Sequence, residues 1–185
     1  LLFIIIAAVS MGHTRFTFFP RIPSETVRAT LTMPSGTPYS VTDRHIQSMT
    51  RAAQELRNKY IDSNTGHSVI SHILTRTGDR GGQTNSGQVL FELEPPETRS
   101  VDINSQELTS EWRKMIGVIP GSEELIYRSE IGRTSDPIDI ELRSNNLIQM
   151  DIISEKIKLH LATYPGVFDI NDSQSNGKEE LNIEL

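Results

Sequence analysis

The feature that most constrains this chain is an ordered switch between two hydrophobic periods. Apolar residues occupy every second position from Val27 to Met33, which predicts a strand with one covered face. From about Tyr39 to Tyr60 the apolar residues instead recur every 3.6 residues, which predicts a helix. Because the two periods place side chains differently, each segment favours one kind of element over the other.

The same two periods continue along the next seventy residues. Further strands are predicted over Ser68–Arg76, Gln88–Glu94 and Glu124–Arg128, and a second helix over Asn104–Val118. Ser40 with Asp43 resembles a capping box at the start of the first helix. Asn104 and Glu107 occupy the cap positions of the second. The resulting β-α-β-β-α-β order predicts a ferredoxin-like α+β fold, with both helices on one face of an antiparallel sheet.

A second round of the pattern begins near residue 136 and stays unfinished. It comprises a strand over Ile138–Arg143, a helix over Asn146–Thr163, and strands over Val167–Ile170 and Glu180–Leu185. We interpret it as an incomplete second βαββ unit, because a full copy would need one more helix and strand. The expected domains are residues 1–22, residues 23–135 as the first subdomain, and residues 136–185 as a partial second subdomain.

The apolar run Leu1–Val9 is too short to span a bilayer, which needs about 20 residues. It fits either the centre of a signal peptide or the end of a transmembrane helix. We favour the helix end, because a charged segment and a cleavage site are missing and aromatic residues follow at Phe16, Phe18 and Phe19. The chain starts without Met and stops inside a predicted strand, so we expect a fragment of a longer protein.

Composition excludes several classes of function. The net charge is −6, which argues against a protein that binds the nucleic-acid backbone through a basic patch. The absence of cysteine excludes disulfides, thiolate metal sites and a cysteine nucleophile. His67 and His72 fall on opposite faces of a strand and cannot chelate one metal together. Because no nucleophile motif is present, we expect neither an enzyme nor a cofactor.

A polar, glycine-rich loop joins the second and third predicted strands, over Thr77–Gly87. It matches neither the Walker nor the dinucleotide spacing, and no helix follows it to hold a phosphate. The segment is long for a hairpin connection, and long loops are often functional. A calcium loop from Asp172 is excluded, because Ile183 falls at the position that requires glutamate.

Polar positions of the strands share the face opposite the predicted helices. Arg28 and Thr30 share one side of the first strand, and Gln88, Leu90 and Glu92 share one side of the third. This face is either solvated or covered by another subdomain, in which case a cleft forms there.

Several short segments, in this order and spacing, carry a family resemblance. They are Phe18-Phe-Pro20, Met33-Pro-Ser-Gly36-Thr37, the glycine-rich loop before a strand, and Tyr164-Pro-Gly-Val-Phe-Asp-Ile170. The chain resembles, over essentially its whole length, the periplasmic porter region of resistance-nodulation-division (RND) efflux transporters. The similar stretch follows the first transmembrane helix of the second half of such transporters.

The resemblance implies part of a proton-driven antiporter of the bacterial inner membrane, with this region in the periplasm. It further implies a homotrimeric permease of the multidrug-resistance type that exports small molecules. Its partners would be a periplasmic adaptor (membrane fusion) protein and an outer-membrane channel, with no nucleic acid. The alternatives are a secreted or membrane-tethered ferredoxin-like ligand-binding module without a transport role, and an enzyme on the same fold.

The resemblance also implies which residues line the substrate path: Arg28, Thr30, Arg76, Arg80, Leu90, Ile126 and Arg128. The loop from Thr75 to Gly87 resembles the switch loop of the family, with Thr77, Gly78, Asp79, Gly81, Gly82 and Gln83 in it. The loop carries no aromatic residue, unlike that of multidrug members, and its charges indicate a more polar or anionic substrate. Heavy-metal members use pocket methionines, whereas apolar stripes favour core packing here for Met33, Met49, Met115 and Met150.

Overall fold

The computed structural model describes residues 22–78, 81–131 and 138–173. Its elements are β1 (Ile22–Thr32), α1 (Tyr39–Lys59), β2 (Ile70–Thr77), β3 (Ser86–Leu93), α2 (Ser105–Ile116), β4 (Glu124–Ile131) and α3 (Leu147–Leu161), with a short 3-10 turn at Pro96–Thr98. The first six elements follow the predicted β-α-β-β-α-β order. Three predicted features lie outside the described residues: the proposed membrane segment, which ends before residue 22; the pair Asp79 and Arg80; and the strand over Glu180–Leu185. None of the described helices has the length and apolar character needed to cross a bilayer.

The four strands form one antiparallel sheet in the order β2-β3-β1-β4. The central strand β1 pairs on one side with β3 and on the other with β4, so that Ala29 lies opposite both Val89 and Tyr127. These three residues are buried, whereas Arg28, one position before Ala29, is exposed. The two-residue period therefore produces the expected sheet with one covered face and one open face.

Helices α1 and α2 cover the buried face of the sheet. α1 packs against β2 and β3, and α2 packs against β1 and β4. Trp112 of α2 lies at the centre of the core, with its ring edge-to-face to Phe91 at 5.0 Å and Tyr127 at 5.6 Å. Its indole N–H donates to the carbonyl of Met49 at 3.1 Å, which ties α2 to α1. The helical stripes predicted from the sequence are thus the inner faces of this layer.

The helix starts confirm one predicted cap and correct the other. At α2, the side chain of Asn104 accepts from the Glu107 N–H at 2.8 Å, and the Glu107 carboxylate accepts from the Asn104 N–H at 3.4 Å. The capping box predicted for α1 was wrong, because Pro38 is its N-cap residue and places Ser40 inside the helix. Asp43 instead accepts from the Thr77 hydroxyl at 2.7 Å.

The second region, residues 138–173, contains the predicted helix α3 but not its flanking strands. The Asn146 side chain caps α3 by accepting from the Gln149 N–H at 3.1 Å. The strands predicted over Ile138–Arg143 and Val167–Ile170 were wrong, since both segments are irregular. An alternating pattern forms a strand only where another strand supplies the hydrogen-bonding partner, and none of the described strands pairs with either segment.

Helix α3 leaves much of its apolar surface exposed, and two methionines lie outside the core in which they were predicted. α3 buries Ser154, while its large apolar side chains are mostly exposed: Leu147, Ile148, Ile152, Ile153 and Leu159. Of the methionines, Met33 and Met49 lie in the core as expected. Met115 is 39% exposed near the end of α2, and Met150 is partly buried on α3 away from that core. These two were therefore wrongly assigned to a packed interior.

Candidate functional site

The open face of the sheet, on the side away from α1 and α2, brings most of the predicted path residues together. Strand register aligns Arg76, Gln88, Thr30 and Ile126 in one row across the sheet. A second row contains Leu74, Leu90, Arg28 and Arg128. Every predicted path residue except Arg80, which lies outside the described residues, therefore falls in these two rows. We call these eight side chains the open face.

The open face combines aliphatic side chains with guanidinium groups. Leu74 is 59% exposed, although it lies within a strand. Leu90 and Ile126 are partly buried and continue the apolar surface toward β1 and β4. Arg28 and Arg128 are exposed next to them. A face of this kind offers contact to an apolar body and charge to an anionic group.

The open face carries three exposed arginines, Arg28, Arg76 and Arg128. Across the described parts of the chain, no carboxylate forms an ion pair with its three arginines. Each neighbouring carboxylate has another group close to it. Glu92 lies 3.7 Å from the imidazole of His72, Glu124 accepts from Asn171 at 2.7 Å, and Glu130 accepts from Gln106 at 3.2 Å. The arginines therefore present their charge to solvent.

The predicted switch loop is anchored at its base beside the open face. Thr77 is the last residue of β2, and its hydroxyl donates a hydrogen bond to the Asp43 carboxylate. Gly78 has a φ of +83°, which favours glycine, and its N–H donates to the carbonyl of Ser86 at 2.7 Å. Gly81, Gly82 and Gln83 are exposed. The loop thus continues the β2–β3 hairpin, while its switching role remains a prediction.

Arg113 of α2 forms a contact that the sequence did not predict. Its guanidinium carbon lies 4.5 Å from the ring centre of Tyr127 and 4.1 Å from that of Phe168. The same group donates to both carboxylate oxygens of Asp169, at 3.2 and 2.9 Å. Asp169 also accepts from the Tyr127 N–H at 3.2 Å and has a φ of +56°. This cluster, the Arg113 clamp, holds residues 168–169 against strand β4.

A groove of about 400 Å³ adjoins the Arg113 clamp. It is lined mainly by polar residues of α2 and β4, among them Gln106, Thr109, Ser110 and Glu130. The hydroxyl of Tyr127 is buried without a hydrogen-bond partner in the described structure, and burial raises the pKa of this phenol. Tyr127 therefore remains neutral.

The side chains of the described residues contain no group of three or more His, Asp or Glu arranged to hold a metal ion. The buried thioethers of Met33 and Met49 face the core rather than the open face. The open face consequently offers arginine, threonine, glutamine and aliphatic side chains, and no ligand set suited to a soft metal.

Comparison with known proteins gives a structural likeness without a sequence family. No family model matches this sequence, and neither does any curated protein. Solved structures of a heavy metal efflux pump in two crystal forms align with 89% and 91% of this chain, at TM-scores of 0.60 and 0.61 and 16% identity. The chain spans 18% of the length of that pump. At such low identity the likeness concerns the fold, which is that of one part of an efflux pump.

Proposed function

We propose that this chain is part of an RND-type efflux permease and that its open face lines the substrate path. The observation that carries the proposal is the likeness of the chain, over about nine-tenths of its length, to one part of an efflux pump. The ferredoxin-like unit, residues 23–135, would be the first porter subdomain. Its open face supports this role, because the predicted path residues align there.

The second region supports the presence of a further subdomain. α3 exposes isoleucine and leucine side chains along most of its length, and soluble proteins rarely leave such surface uncovered. We infer that residues 136–185 begin a second subdomain whose remaining elements cover α3. A second layer next to β4 would convert the open face into one wall of a cleft.

The finer parts of the proposal follow from the resemblance of the sequence to the RND family. They are proton-driven antiport, a homotrimer in the inner membrane, and a periplasmic position for this region. A periplasmic adaptor protein and an outer-membrane channel would complete the pump. The likeness in fold to an efflux pump is compatible with each of these properties.

The chemistry of the open face favours organic substrates over metal cations. The similar structure is described as a heavy metal efflux pump, yet none of the eight open-face side chains is a methionine. Exposed arginines would repel a metal cation, whereas leucine and isoleucine would contact an organic molecule. We therefore propose a small organic export substrate.

An accumulation assay tests the proposal. The full-length protein that contains this chain is expressed in Gram-negative cells that lack their own efflux pumps, and a panel of fluorescent compounds is measured inside the cells. We expect lower accumulation of at least one compound, and the loss of this effect when a protonophore collapses the proton gradient. Equal accumulation of every compound with and without the protein would contradict transport and favour the ligand-binding module.

Two matched variants locate the path within the same assay. Leu90→Trp places a large ring on the open face and should raise accumulation several-fold. Val118→Trp changes a residue that is 91% exposed in the turn after α2, away from the open face, and should leave accumulation unchanged. Membrane levels measured by immunoblotting control for loss of either variant. An equal effect of both substitutions would remove the open face from the path.

A further inference from the structure

We propose that Arg28 and Arg128 together form an anion-binding site on the open face, which selects amphipathic organic anions. The proposal rests on the proposed function, because it names the substrate class of the same surface. It states that the two guanidinium groups bind one anionic head group, while the tail lies on the leucines of the same row.

The register of the sheet places the two arginines side by side. Arg28 of β1 lies directly opposite Arg128 of β4, and both side chains are exposed on the open face. Side chains directly opposite each other in an antiparallel pair have Cβ atoms about 5 Å apart, and like charges in this arrangement destabilise the sheet. A bound carboxylate or phosphate would relieve this repulsion and accept hydrogen bonds from both groups.

None of the described carboxylates forms an ion pair with Arg28 or Arg128. Glu92 lies diagonally across from Arg28, since it pairs with Thr26, and its exposed carboxylate lies 3.7 Å from the imidazole of His72. Glu124 and Glu130, the other acidic residues of β4, hydrogen-bond to Asn171 and Gln106. A chain of net charge −6 thus keeps two adjacent cations without a partner among the residues described.

The row that contains the arginine pair also supplies an apolar surface. Arg28 lies opposite Leu90 on its other side, and Leu90 lies opposite Leu74 at the edge of the sheet. Neighbouring strands are about 4.8 Å apart, so the two leucines extend about 10 Å from the arginine pair. That length suits a short alkyl or aryl tail. A ligand would therefore lie along the row, with its charged head at the arginine pair and its apolar tail on the two leucines.

Three probes that differ in the head group test the proposal. Octanoate, octanamide and octyltrimethylammonium carry similar tails and are anionic, neutral and cationic. Each is titrated into the isotopically labelled 185-residue chain, and backbone amide shifts in β1, β3 and β4 are followed by NMR. We expect octanoate to bind at least about tenfold more tightly than octanamide, because charge-assisted hydrogen bonds contribute that much, and the cation to bind most weakly.

Variants separate the arginine pair from general surface charge. Arg28→Gln and Arg128→Gln should each weaken octanoate binding about tenfold and leave octanamide binding unchanged. Arg44→Gln, which removes an exposed arginine of α1, should change neither. The urea midpoint of the two open-face variants should stay the same or rise, because each removes a like-charge repulsion. A variant that binds octanoate more weakly but keeps the urea midpoint of the wild type is therefore still folded.

Two results would overturn the proposal: equal affinity for octanoate and octanamide, or octanoate binding by both open-face variants at wild-type strength. The accumulation assay separates this failure from failure of the proposed function. A protein that exports neutral compounds but shows no preference for octanoate keeps its transport role and loses the anion site. A protein that binds octanoate as expected and lowers the accumulation of no compound, anions included, keeps the site and loses the transport role.

Discussion

Helix α3 is richer in apolar residues than α1, yet less of its apolar surface is covered. α1 buries Thr42, Ile46, Met49, Ala52, Ala53 and Leu56 against the sheet and α2. α3 buries Ser154 and leaves its isoleucines and leucines largely in solvent. Both helices begin where the sequence predicts, within one residue. The difference shows that a local pattern sets the helix, whereas burial requires a partner layer that other parts of the chain must supply.

The first unit, residues 22–131, forms two packed layers, one of four strands and one of two helices. Its sheet has one face covered by α1 and α2 and one face open. The second region is connected to it through the Arg113 clamp and through the hydrogen bond from Asn171 to Glu124. These polar contacts hold the region in place without covering α3. We therefore expect stability to be concentrated in the first unit.

The strongest test of this contrast substitutes the same residue type in both helices. Ile46→Ala empties a fully buried position in α1 and should lower the free energy of unfolding by about 2–5 kcal/mol. Ile148→Ala, at a position in α3 that is 73% exposed, should change it by less than about 0.5 kcal/mol. Urea unfolding followed by the fluorescence of Trp112, the single tryptophan, measures both. Similar losses in the two variants would mean that α3 is covered within this chain.

A second test probes how closely α1 approaches the sheet. A Cβ added at Gly87 would lie 2.7 Å from Ile46 side-chain carbons and 3.0 Å from the carbonyl oxygen of Arg76. Gly87→Ala should therefore destabilise the first unit by about 1–3 kcal/mol in the same urea experiment. Adding Ile46→Val should recover part of the loss, because the two positions compete for one space. Strict additivity of the two changes would contradict the close approach.

A third test asks how firmly the second region is held to the first. Asp169→Asn removes the charge that faces Arg113 and should lower global stability by about 1 kcal/mol. Its clearer effect should be faster hydrogen exchange at the Tyr127 N–H, which donates to Asp169. Glu141→Gln, in the exposed pair with Arg143, should alter neither measurement. Unchanged exchange at Tyr127 would show that the clamp does not hold this edge.

The smallest expected effect concerns acid sensitivity, which should arise in the first unit. Hydrogen bonds from the Ser100 hydroxyl and N–H and from the Asn64 N–H lower the pKa of Asp62 to about 2. Because this pKa lies below its unfolded value, the stabilisation is present above about pH 4 and is lost as the pH falls toward 2. Urea midpoints between pH 5 and pH 2 should therefore fall more steeply for the wild type than for Asp62→Asn. Parallel curves would contradict this assignment.

The sequence predicted the elements that depend on local pattern and missed contacts that depend on distant residues. The four strands of the sheet and the α2 capping box follow from alternation and from Asn104 with Glu107. The strand predicted over Ile138–Arg143 was wrong, because alternation does not reveal whether a pairing strand is available. Arg113 and Asp169 lie 56 residues apart, so no local signal indicates their contact. Alternation places residues of one strand on a common face, but only register shows that Arg28 lies opposite Arg128.

The measurement that most directly tests the central claim, that the open face lies on an export path, uses cysteine labelling. The chain has no cysteine, so Leu74→Cys introduces a single thiol on the open face and Val118→Cys introduces one away from it. Any native cysteines elsewhere in the full-length protein are replaced first. Maleimide labelling is measured in cells with and without a compound that the protein exports. We predict that the compound slows labelling at position 74 and leaves position 118 unchanged. Equal labelling rates at position 74 with and without the compound would contradict the account.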